Sequence, residues 1–370
     1  PSLPVIKHMS TLLKPSFKPS SILGLGLFIF LLAKVWPPLI LVFSFCVMKF
    51  LSYTNLNNDD VLERRKWWAD MMKDGGPDWL KVPRGVQYKE SYWVNSRGMC
   101  LLSYIMKPTS APPKGVLMYC HGYGDQASWL KASEYRRVVK AGYAVMAVEY
   151  EGHGRSDGVL VAFPSFQGLA EDVREFMEQT YNENFKGLNL FVGGESMGGA
   201  VAYTVATTSK LVSGAVLICP MCKIHDHLKP PKFVIDAMYK IVGPPGTINE
   251  IGLLPVAPSK SVNDNSFKIT EKKELSQSTM STYQRKPRLA VARELLDTTD
   301  RIAKELHTFD LPFIVLHGKA DVVTDPELSK QLYDSAKSKD KTIKLYDGMW
   351  HTLTSGEPEE NINKVFKDII

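Results

Sequence analysis

The run Gly194-Glu195-Ser196-Met197-Gly198 constrains the fold of this chain more than any other feature of its sequence. It follows the apolar residues 188–192 and precedes a stretch of small residues. A serine flanked in this way by glycines suits a tight turn from a buried strand into a helix, because glycine lets neighbouring backbone pass at close range. Such a turn exposes the serine hydroxyl. We therefore expect Ser196 to be a candidate nucleophile at one edge of a sheet.

From residue 86 onwards, apolar strand-like segments alternate with helix-like segments. Two strands are expected around a turn at residues 95–98, and further strands at residues 115–120, 143–150, 188–192, 212–219, 312–317 and 341–346. Helices are expected near residues 128–140 and 165–180 and from about Gly198. Continuous apolar strands that alternate with helices indicate an α/β fold with a mostly parallel sheet covered on both faces.

Residues 221–300 interrupt this alternation. They are rich in Pro, Lys and Ser, and their apolar residues recur without forming a clear buried strand. We interpret them as a cap inserted over the carboxyl ends of the strands, where ligands bind in open α/β folds. We expect four parts: an N-terminal segment at 1–54, a linker and leading helix at 55–85, a core at 86–220 and 301–370, and a cap at 221–300.

A serine nucleophile needs a base that takes its proton, and the base needs an orienting carboxylate. In this kind of sheet the acid and then the histidine follow the serine, each after a late strand. The strand at 312–317 leads to Asp321, and the strand at 341–346 leads to His351. Their order and placement indicate Asp321 as the acid and His351 as the base.

Other acidic and histidine side chains fit these two roles less well. Asp325 stands before a proline and suits the N-cap of a helix, and Asp347 is too close to the candidate base along the chain. His307 and His317 have no comparable context, and His153 precedes the serine in a Gly-rich turn. We interpret His153 as structural.

The transition state of acyl transfer develops negative charge on an oxygen, so two backbone N–H groups are expected to point at it. One donor should be Met197, which follows the serine. The other should come from the loop that begins at His121, with Tyr123 as the preferred donor and Gly122 as the alternative.

The sequence indicates no metal site and no cofactor. Cys219 and Cys222 form a C-x-x-C, and His225 and His227 lie close together, but neither pair has further ligands nearby. Five cysteines without framework spacing are interpreted as reduced thiols in or near the core. A serine-based triad requires neither a metal nor a nucleotide.

The formal charge of +6 is concentrated at the N-terminus. Residues 1–58 contain five lysines and no acidic residue, a charge of +5, which leaves +1 for the remainder. The catalytic part is therefore near neutral, and a nucleic-acid partner is not expected.

Residues 21–51 are mostly apolar and predict attachment to a membrane. Lys34 and the pair Pro37-Pro38 divide them into runs of 12 and 10 apolar residues, whereas a straight span needs about 20. A single kinked span and a hairpin that returns to the same side both remain open. A cleaved signal peptide fits less well, because no small-x-small cleavage site follows.

Residues 63–68 carry basic side chains and two tryptophans directly after the apolar segment. They suit either a bilayer interface or a surface helix at the edge of the catalytic domain. The acid-free residues 1–20 also leave a transit peptide open, although they lack arginine.

Five runs resemble the plant monoacylglycerol lipase and lysophospholipase-like α/β-hydrolase family, which includes caffeoylshikimate esterase. They are HGYGD, EYEGHGRSDG, GESMGGA, HGKADVVTDP and LYDGMWHTLTSGEPEEN, within a resemblance from about Gly85 to Ile370. The resemblance implies an α/β-hydrolase fold with a cap over an acyl-binding tunnel. It also implies a triad and an oxyanion hole at the residues already singled out: Ser196, Asp321, His351, Tyr123 and Met197.

We therefore expect a serine hydrolase that cleaves lipid esters, monoacylglycerol or lysophospholipid, by way of an acyl-enzyme. A hydroxycinnamoyl (caffeoylshikimate-type) esterase or an acyltransferase could use the same scaffold. A non-catalytic receptor or scaffold is disfavoured because all three triad residues are present. The expected location is the endoplasmic reticulum or lipid droplet surface with the catalytic domain facing the cytosol, or alternatively the chloroplast, and the oligomeric state is left open.

Overall fold

A computed structural model describes residues 61–222, 232–243, 246, 248, 251–253, 265–283, 285 and 287–370. The predicted membrane segment within residues 1–54 lies outside these ranges, as do the two cap histidines at 225 and 227. Within the described ranges, no helix is both long enough and apolar enough to cross a membrane.

The described residues form one eight-stranded sheet. Its strands are β1 Val86–Val94, β2 Cys100–Pro108, β3 Gly115–Cys120, β4 Ala144–Val148, β5 Asn189–Glu195, β6 Val212–Ile218, β7 Phe313–Gly318 and β8 Lys341–Tyr346. They lie in the order β1-β2-β4-β3-β5-β6-β7-β8. The β1–β2 and β2–β4 pairs are antiparallel and the remaining pairs are parallel, so the sheet is mostly parallel as the strand pattern predicts.

Helices connect and cover these strands. The described α-helices are α1 Val61–Met72, α2 Leu130–Lys140, α3 Phe166–Asn184, α4 Met197–Thr208, α5 Lys232–Val242, α6 Thr270–Gln277, α7 Leu289–Glu305, α8 Pro326–Ser335 and α9 Glu359–Ile369. Short 3-10 turns occur at Asp78–Leu80, Ile251–Leu253 and Leu306–Thr308.

Both faces of the sheet are buried at its central strands. Strand β3 is buried at every position, and its Met118 and Tyr119 belong to different apolar clusters on opposite sides. Phe166 of α3 packs on the first side, whereas Tyr135 of α2 and Phe366 of α9 pack on the second. The alternation of strand and helix therefore yields the two-sided core that the sequence predicts.

The predicted cap lies between β6 and β7, and its described parts contain α5, α6 and α7 but no strand that joins the sheet. Helix α7 continues across the predicted boundary at residue 300. Val242 of α5 and Ala290 and Leu296 of α7 share a separate small apolar cluster.

Helix α1 is anchored on the catalytic domain. Arg64 is fully buried and donates hydrogen bonds to the carbonyls of Gly154 (2.7 Å), Ser156 (2.9 Å) and Gly158 (3.2 Å). Trp68 is also buried and packs edge-on against Trp129, with 5.4 Å between the ring centroids. Trp68 is therefore a packing residue of this domain and not a bilayer anchor.

Candidate active site

The backbone at Ser196 is held in a conformation that few side chains adopt. Its φ is 61° and its ψ is −123°, at the junction of β5 and α4. A Cβ atom on Gly198 would lie 2.1 Å from the Cys120 carbonyl oxygen, and one on Gly194 would lie 2.3 Å from the Gly198 carbonyl oxygen. Both glycines are therefore required by close backbone approach, which is the reason inferred from the sequence pattern.

The two predicted oxyanion donors lie beside this turn. Met197 is the first residue of α4, where a helix offers its N–H group no carbonyl partner of its own. On the other side, a Cβ atom on Gly122 would lie 3.8 Å from the Ser196 Cβ. Tyr123, the next residue, lines the same cavity as Ser196. The loop after β3 thus runs past the serine, as an oxyanion hole requires.

The Asp321 carboxylate receives five hydrogen bonds. Its Oδ1 accepts the N–H groups of Val323 (2.7 Å) and Thr324 (3.1 Å). Its Oδ2 accepts from His351 Nδ1 at 2.7 Å, from the Thr324 hydroxyl at 2.9 Å and from His317 Nε2 at 3.1 Å. This shell fixes the orientation of the carboxylate.

The same contacts set the charges of the pair. Burial alone would raise the pKa of Asp321, but the charge and hydrogen bond of His351, together with the bond from His317, lower it overall. Burial would lower the pKa of His351, but the Asp321 carboxylate raises it overall. Asp321 is therefore ionised at neutral pH, and His351 donates through Nδ1, which leaves Nε2 as the proton acceptor.

Ser196 and His351 meet at one cavity of about 80 Å³. Among the described residues, no hydrogen bond joins the serine hydroxyl to the imidazole, although such bonds are often loose until substrate binds. The structure therefore brings Asp321 and His351 into direct contact and places Ser196 at the cavity that His351 also lines.

His317 belongs to the hydrogen-bond network around Asp321, although its sequence context did not indicate a role at the site. It is the second-last residue of β7, and its Nδ1 lies 2.7 Å from the Ser329 hydroxyl while its Nε2 lies 3.1 Å from Asp321 Oδ2. The i, i+4 spacing of His317 and Asp321 after a strand is a weak signal for such a contact. His317 acts on the acid and does not reach the cavity lining.

Among the described residues, one group of side chains lies close enough to hold a metal ion. Its ligand atoms are within 4.8 Å of one another, and its members are Cys219, His317 and Asp321. The Asp321 oxygen that faces the other two already accepts three donors. Burial, with the nearby Asp321 charge, raises the pKa of the Cys219 thiol well above its ordinary value, and only a thiolate ligates metals well. The group therefore suits hydrogen bonding and not metal ligation.

The competing residues occupy other roles. Asp325 accepts the Glu327 N–H at 2.9 Å and caps α8, as expected. Asp347 is exposed and pairs with Lys319 at 2.7 Å. His153 is fully buried, and burial lowers its pKa to about 4. It lies outside the cavity lining, in agreement with a structural role.

The cavity lining combines aromatic and polar groups. The aromatic rings come from Tyr123, Phe267 and Tyr283, and the charged groups from Asp125, Lys131 and Glu195. Hydroxyl and amide groups complete it: Ser266, Ser276, Gln277, Thr282 and Thr352.

Residues 111–359 match the family model described as serine aminopeptidase, S33, also called Hydrolase_4. The chain belongs to this family. Within it, caffeoylshikimate esterase of Arabidopsis thaliana is 32% identical and the match covers 77% of this chain and 85% of that protein. Monoglyceride lipase of Mus musculus is 28% identical over 75% of this chain and 89% of that protein.

Solved structures agree on the fold. The monoacylglycerol lipase of Paleococcus ferrophilus superimposes with a TM-score of 0.60 at 23% identity, over 73% of this chain and 96% of that one. A soluble variant of monoglyceride lipase from Saccharomyces cerevisiae gives 0.61 at 22% identity, over 78% of this chain and 94% of that one. The solved structures show an α/β-hydrolase fold, and the family model and the sequence relatives identify the chain as a carboxylic ester hydrolase of the monoacylglycerol lipase-like group.

Proposed function

We propose that this enzyme hydrolyses carboxylic esters of lipids, with monoacylglycerol as the preferred substrate class and lysophospholipid as a second, through a triad of Ser196, His351 and Asp321. The observation that carries the proposal is that Ser196, on its strained turn, lines the same cavity as a histidine hydrogen-bonded to a buried carboxylate. The S33 family and its esterase relatives supply the reaction class.

In the first step the Ser196 hydroxyl attacks the ester carbonyl carbon while His351 Nε2 takes its proton. The imidazolium that forms is stabilised by the ionised Asp321 at Nδ1. The carbonyl oxygen becomes negative and accepts the N–H groups of Met197 and Tyr123. Each such donor lowers the barrier by roughly 3 kcal/mol in comparable sites.

Collapse of the tetrahedral intermediate breaks the bond to the alcohol, which leaves with the proton from His351. Water then attacks the acyl-enzyme, with His351 again as the base, and releases the carboxylic acid and free Ser196. Every step uses groups of this chain and water.

The charges around the cavity favour a neutral, hydroxylated alcohol. Asp125 and Glu195 are acidic, and the Lys131 ammonium is already bound to Glu195. Gln277 and Thr282 add neutral hydrogen-bonding groups. An anionic alcohol would find no unpaired cation among the described lining residues, whereas glycerol would find hydroxyl and carboxylate partners.

A caffeoylshikimate-type ester is the second candidate. It is favoured by the 32% identity to caffeoylshikimate esterase, which exceeds the 28% identity to the monoglyceride lipase of Mus musculus. Shikimate is also hydroxylated, but it carries a carboxylate that the acidic lining would repel. The two candidates therefore differ in the charge of the alcohol and in the acyl group.

Attachment to a membrane through residues 21–51 completes the proposal. The support is their apolar composition and the lysines around them. The endoplasmic reticulum or lipid droplet surface, with the catalytic domain in the cytosol, would let the enzyme meet monoacylglycerol where it dissolves; the chloroplast is the alternative. Fractionation of the full chain and of residues 58–370 tests this, since only the full chain should pellet with membranes and resist carbonate extraction.

The activity is tested by measuring kcat/KM of the purified protein for monoacylglycerol, lysophosphatidylcholine and caffeoylshikimate, alongside Ser196→Ala. We expect monoacylglycerol to give the highest value and the variant to lose turnover of all three. Turnover that survives in the variant would contradict the triad. A preference for caffeoylshikimate would overturn the substrate assignment and leave the chemistry intact.

A further inference from the structure

A buried lysine lies next to the candidate active site without a role in the chemistry described so far. Lys131 is the second residue of α2 and is 2% exposed. Its ammonium contacts the Glu195 carboxylate and the hydroxyls of Thr354 and Ser355, both at 2.9 Å. A cation at the start of a helix opposes the helix dipole, so the local sequence does not explain its position.

Glu195 is the residue directly before Ser196, at the end of β5. Its Oε1 accepts the Thr354 N–H at 3.0 Å, and its Oε2 accepts the Thr354 hydroxyl at 2.9 Å as well as the Lys131 ammonium. The carboxylate is thus bonded both to α2 and to a loop far along the chain.

That loop carries the candidate base. Thr354 and Ser355 follow His351 by three and four residues, between β8 and α9. The Gly356 N–H donates to the Thr352 carbonyl at 2.8 Å, which closes the loop on itself. A contact at Thr354 therefore fixes the backbone that presents the imidazole.

A buried ion pair is a costly way to stabilise a fold, because both charges lose their hydration, and apolar pairs of similar volume often serve as well. This pair connects the Ser196 turn to the loop that carries His351. The distance between these two segments decides whether the serine hydroxyl can pass its proton to the imidazole. We propose that Lys131 and Glu195 are positioning residues that hold the His351 loop against the Ser196 turn through Thr354 and Ser355. The inference rests on the proposed triad.

The pair also acts on the imidazole by charge. The groups that face His351 are Asp321, Thr324, Glu195 and Lys131, with His317 behind Asp321. Besides burial and Asp321, the Glu195 charge raises the pKa of His351 and the Lys131 charge lowers it. Removing one member of the pair should therefore move the pKa of His351 in a direction set by the member that stays.

The test compares Lys131→Met and Glu195→Gln in the full chain, with kcat, KM and the pH dependence of kcat/KM as readouts. We expect kcat to fall on the order of 10²-fold with a small change in KM, which is the cost of misplacing a reacting group by about 1 Å. The acid limb should move to higher pH in Lys131→Met and to lower pH in Glu195→Gln. If the pair only stabilised the fold, the acid limbs of the two variants would not move in opposite directions.

Glu90→Gln is the matched control. Glu90 forms a two-pronged ion pair with the buried Arg155, at 3.0 and 2.7 Å, away from the cavity lining. This variant should lose stability, measured as Tm, while kcat and the pH profile of the folded protein stay at the wild-type values.

Milder variants cover the case in which an unpaired buried charge prevents folding. Ser355→Ala removes one ammonium contact and Thr354→Val removes a hydroxyl that touches both charges. We expect a lower kcat in both, larger for Thr354→Val. Folded variants with wild-type kcat and acid limb would overturn the positioning role. An inactive wild-type protein would instead refute the proposed hydrolase function.

Discussion

Ser196 and Asp321 illustrate opposite ways in which single residues are prepared for chemistry. The serine is held with a φ of 61°, a conformation that costs on the order of 1–3 kcal/mol and that surrounding contacts must maintain. One of them is its own N–H, which donates to the Ile218 carbonyl at 2.9 Å. The aspartate is instead stabilised as an anion by five donors.

Asp321→Asn tests the role of the acid. The amide oxygen can keep the bonds from the Val323 and Thr324 N–H groups, but the amide NH₂ would face His351 Nδ1. The imidazole would then carry its proton on Nε2 and could not accept one from Ser196. We expect kcat to fall roughly 10⁴-fold with little loss of stability. A folded variant with kcat within tenfold of wild type would contradict this role.

The pH profile of kcat/KM should decline on its acid side at a higher pH than for an ordinary histidine. In the proposed mechanism His351 is the base and works in its neutral form. Burial alone would lower the pKa of His351, but Asp321 raises it overall, above its ordinary value of 6.5. As the pH falls through this raised pKa, His351 is protonated and kcat/KM should decline. A steady-state profile on a neutral ester should place the midpoint above 6.5; a midpoint clearly below that value would contradict the geometry.

The candidate triad could be predicted because each member follows a strand in a fixed order, and this information is local. His317 and the ion pair of Lys131 and Glu195 could not. A lysine in the first turn of α2 is expected to face water. Its burial follows from contacts with Glu195 and with residues 354 and 355, which lie more than two hundred positions later. Contacts of that separation leave no periodic trace in a single sequence.

The edge of the sheet that carries Ser196 depends on how closely three elements approach one another: β5, α4 and the loop after β3. The expected strand at 341–346 coincides with β8, whereas the helix expected from about Gly198 begins at Met197. The strand expected at 188–192 continues as β5 through Gly193 and Gly194 to Glu195, so the glycines that follow the apolar run do not mark its end. The cap was harder, because α5 packs on α7, α7 packs on the main core and α6 packs beside Trp129, and the order of these helices carries no strand signal.

Gly198→Ala tests the close approach. Its new methyl group would lie 2.1 Å from the Cys120 carbonyl oxygen and 2.5 Å from that of His121, both in the backbone. Because the backbone cannot move aside as a flexible side chain can, we expect a loss of about 3 kcal/mol in the free energy of unfolding, the upper end of the usual range for overpacking. Chemical denaturation measures it.

Gly168→Ala is the control for that substitution. Gly168 lies in the first turn of α3, and a methyl group there would come no closer than 3.5 Å to the Ser165 side chain. We expect unchanged or slightly raised stability, since alanine is the better helix former. Equal losses in the two variants would contradict the packing described at the serine turn.

Helix α1 belongs to the catalytic domain, although it precedes the first strand of the sheet along the chain. The described residues from Val61 onwards lie within one compact unit that begins at Asn58. Arg64 ties α1 to the Gly-rich loop after β4, and the Arg155 guanidinium of that loop stacks 3.7 Å above Trp68. The sequence left both a bilayer interface and a surface helix of the catalytic domain open, and the tertiary contacts of Arg64 and Trp68 favour the second.

A fragment of residues 58–370 should therefore fold and hydrolyse a soluble ester at the full-length rate, whereas a fragment of residues 86–370 should not. Removing α1 would leave the carbonyls of Gly154, Ser156 and Gly158 without the Arg64 donors, at about 1–3 kcal/mol for each buried group. Thermal denaturation and turnover check this. A fully stable and active shorter fragment would show that α1 is dispensable.

The proposed hydrolysis depends on Ser196 as the nucleophile, which covalent labelling identifies. The protein is treated with a fluorophosphonate, and intact mass and peptide mapping are recorded for the wild type and for Ser196→Ala. We expect a single adduct on the peptide that contains Ser196 and none in the variant. An adduct on another residue, or labelling of the variant at the wild-type rate, would contradict this assignment.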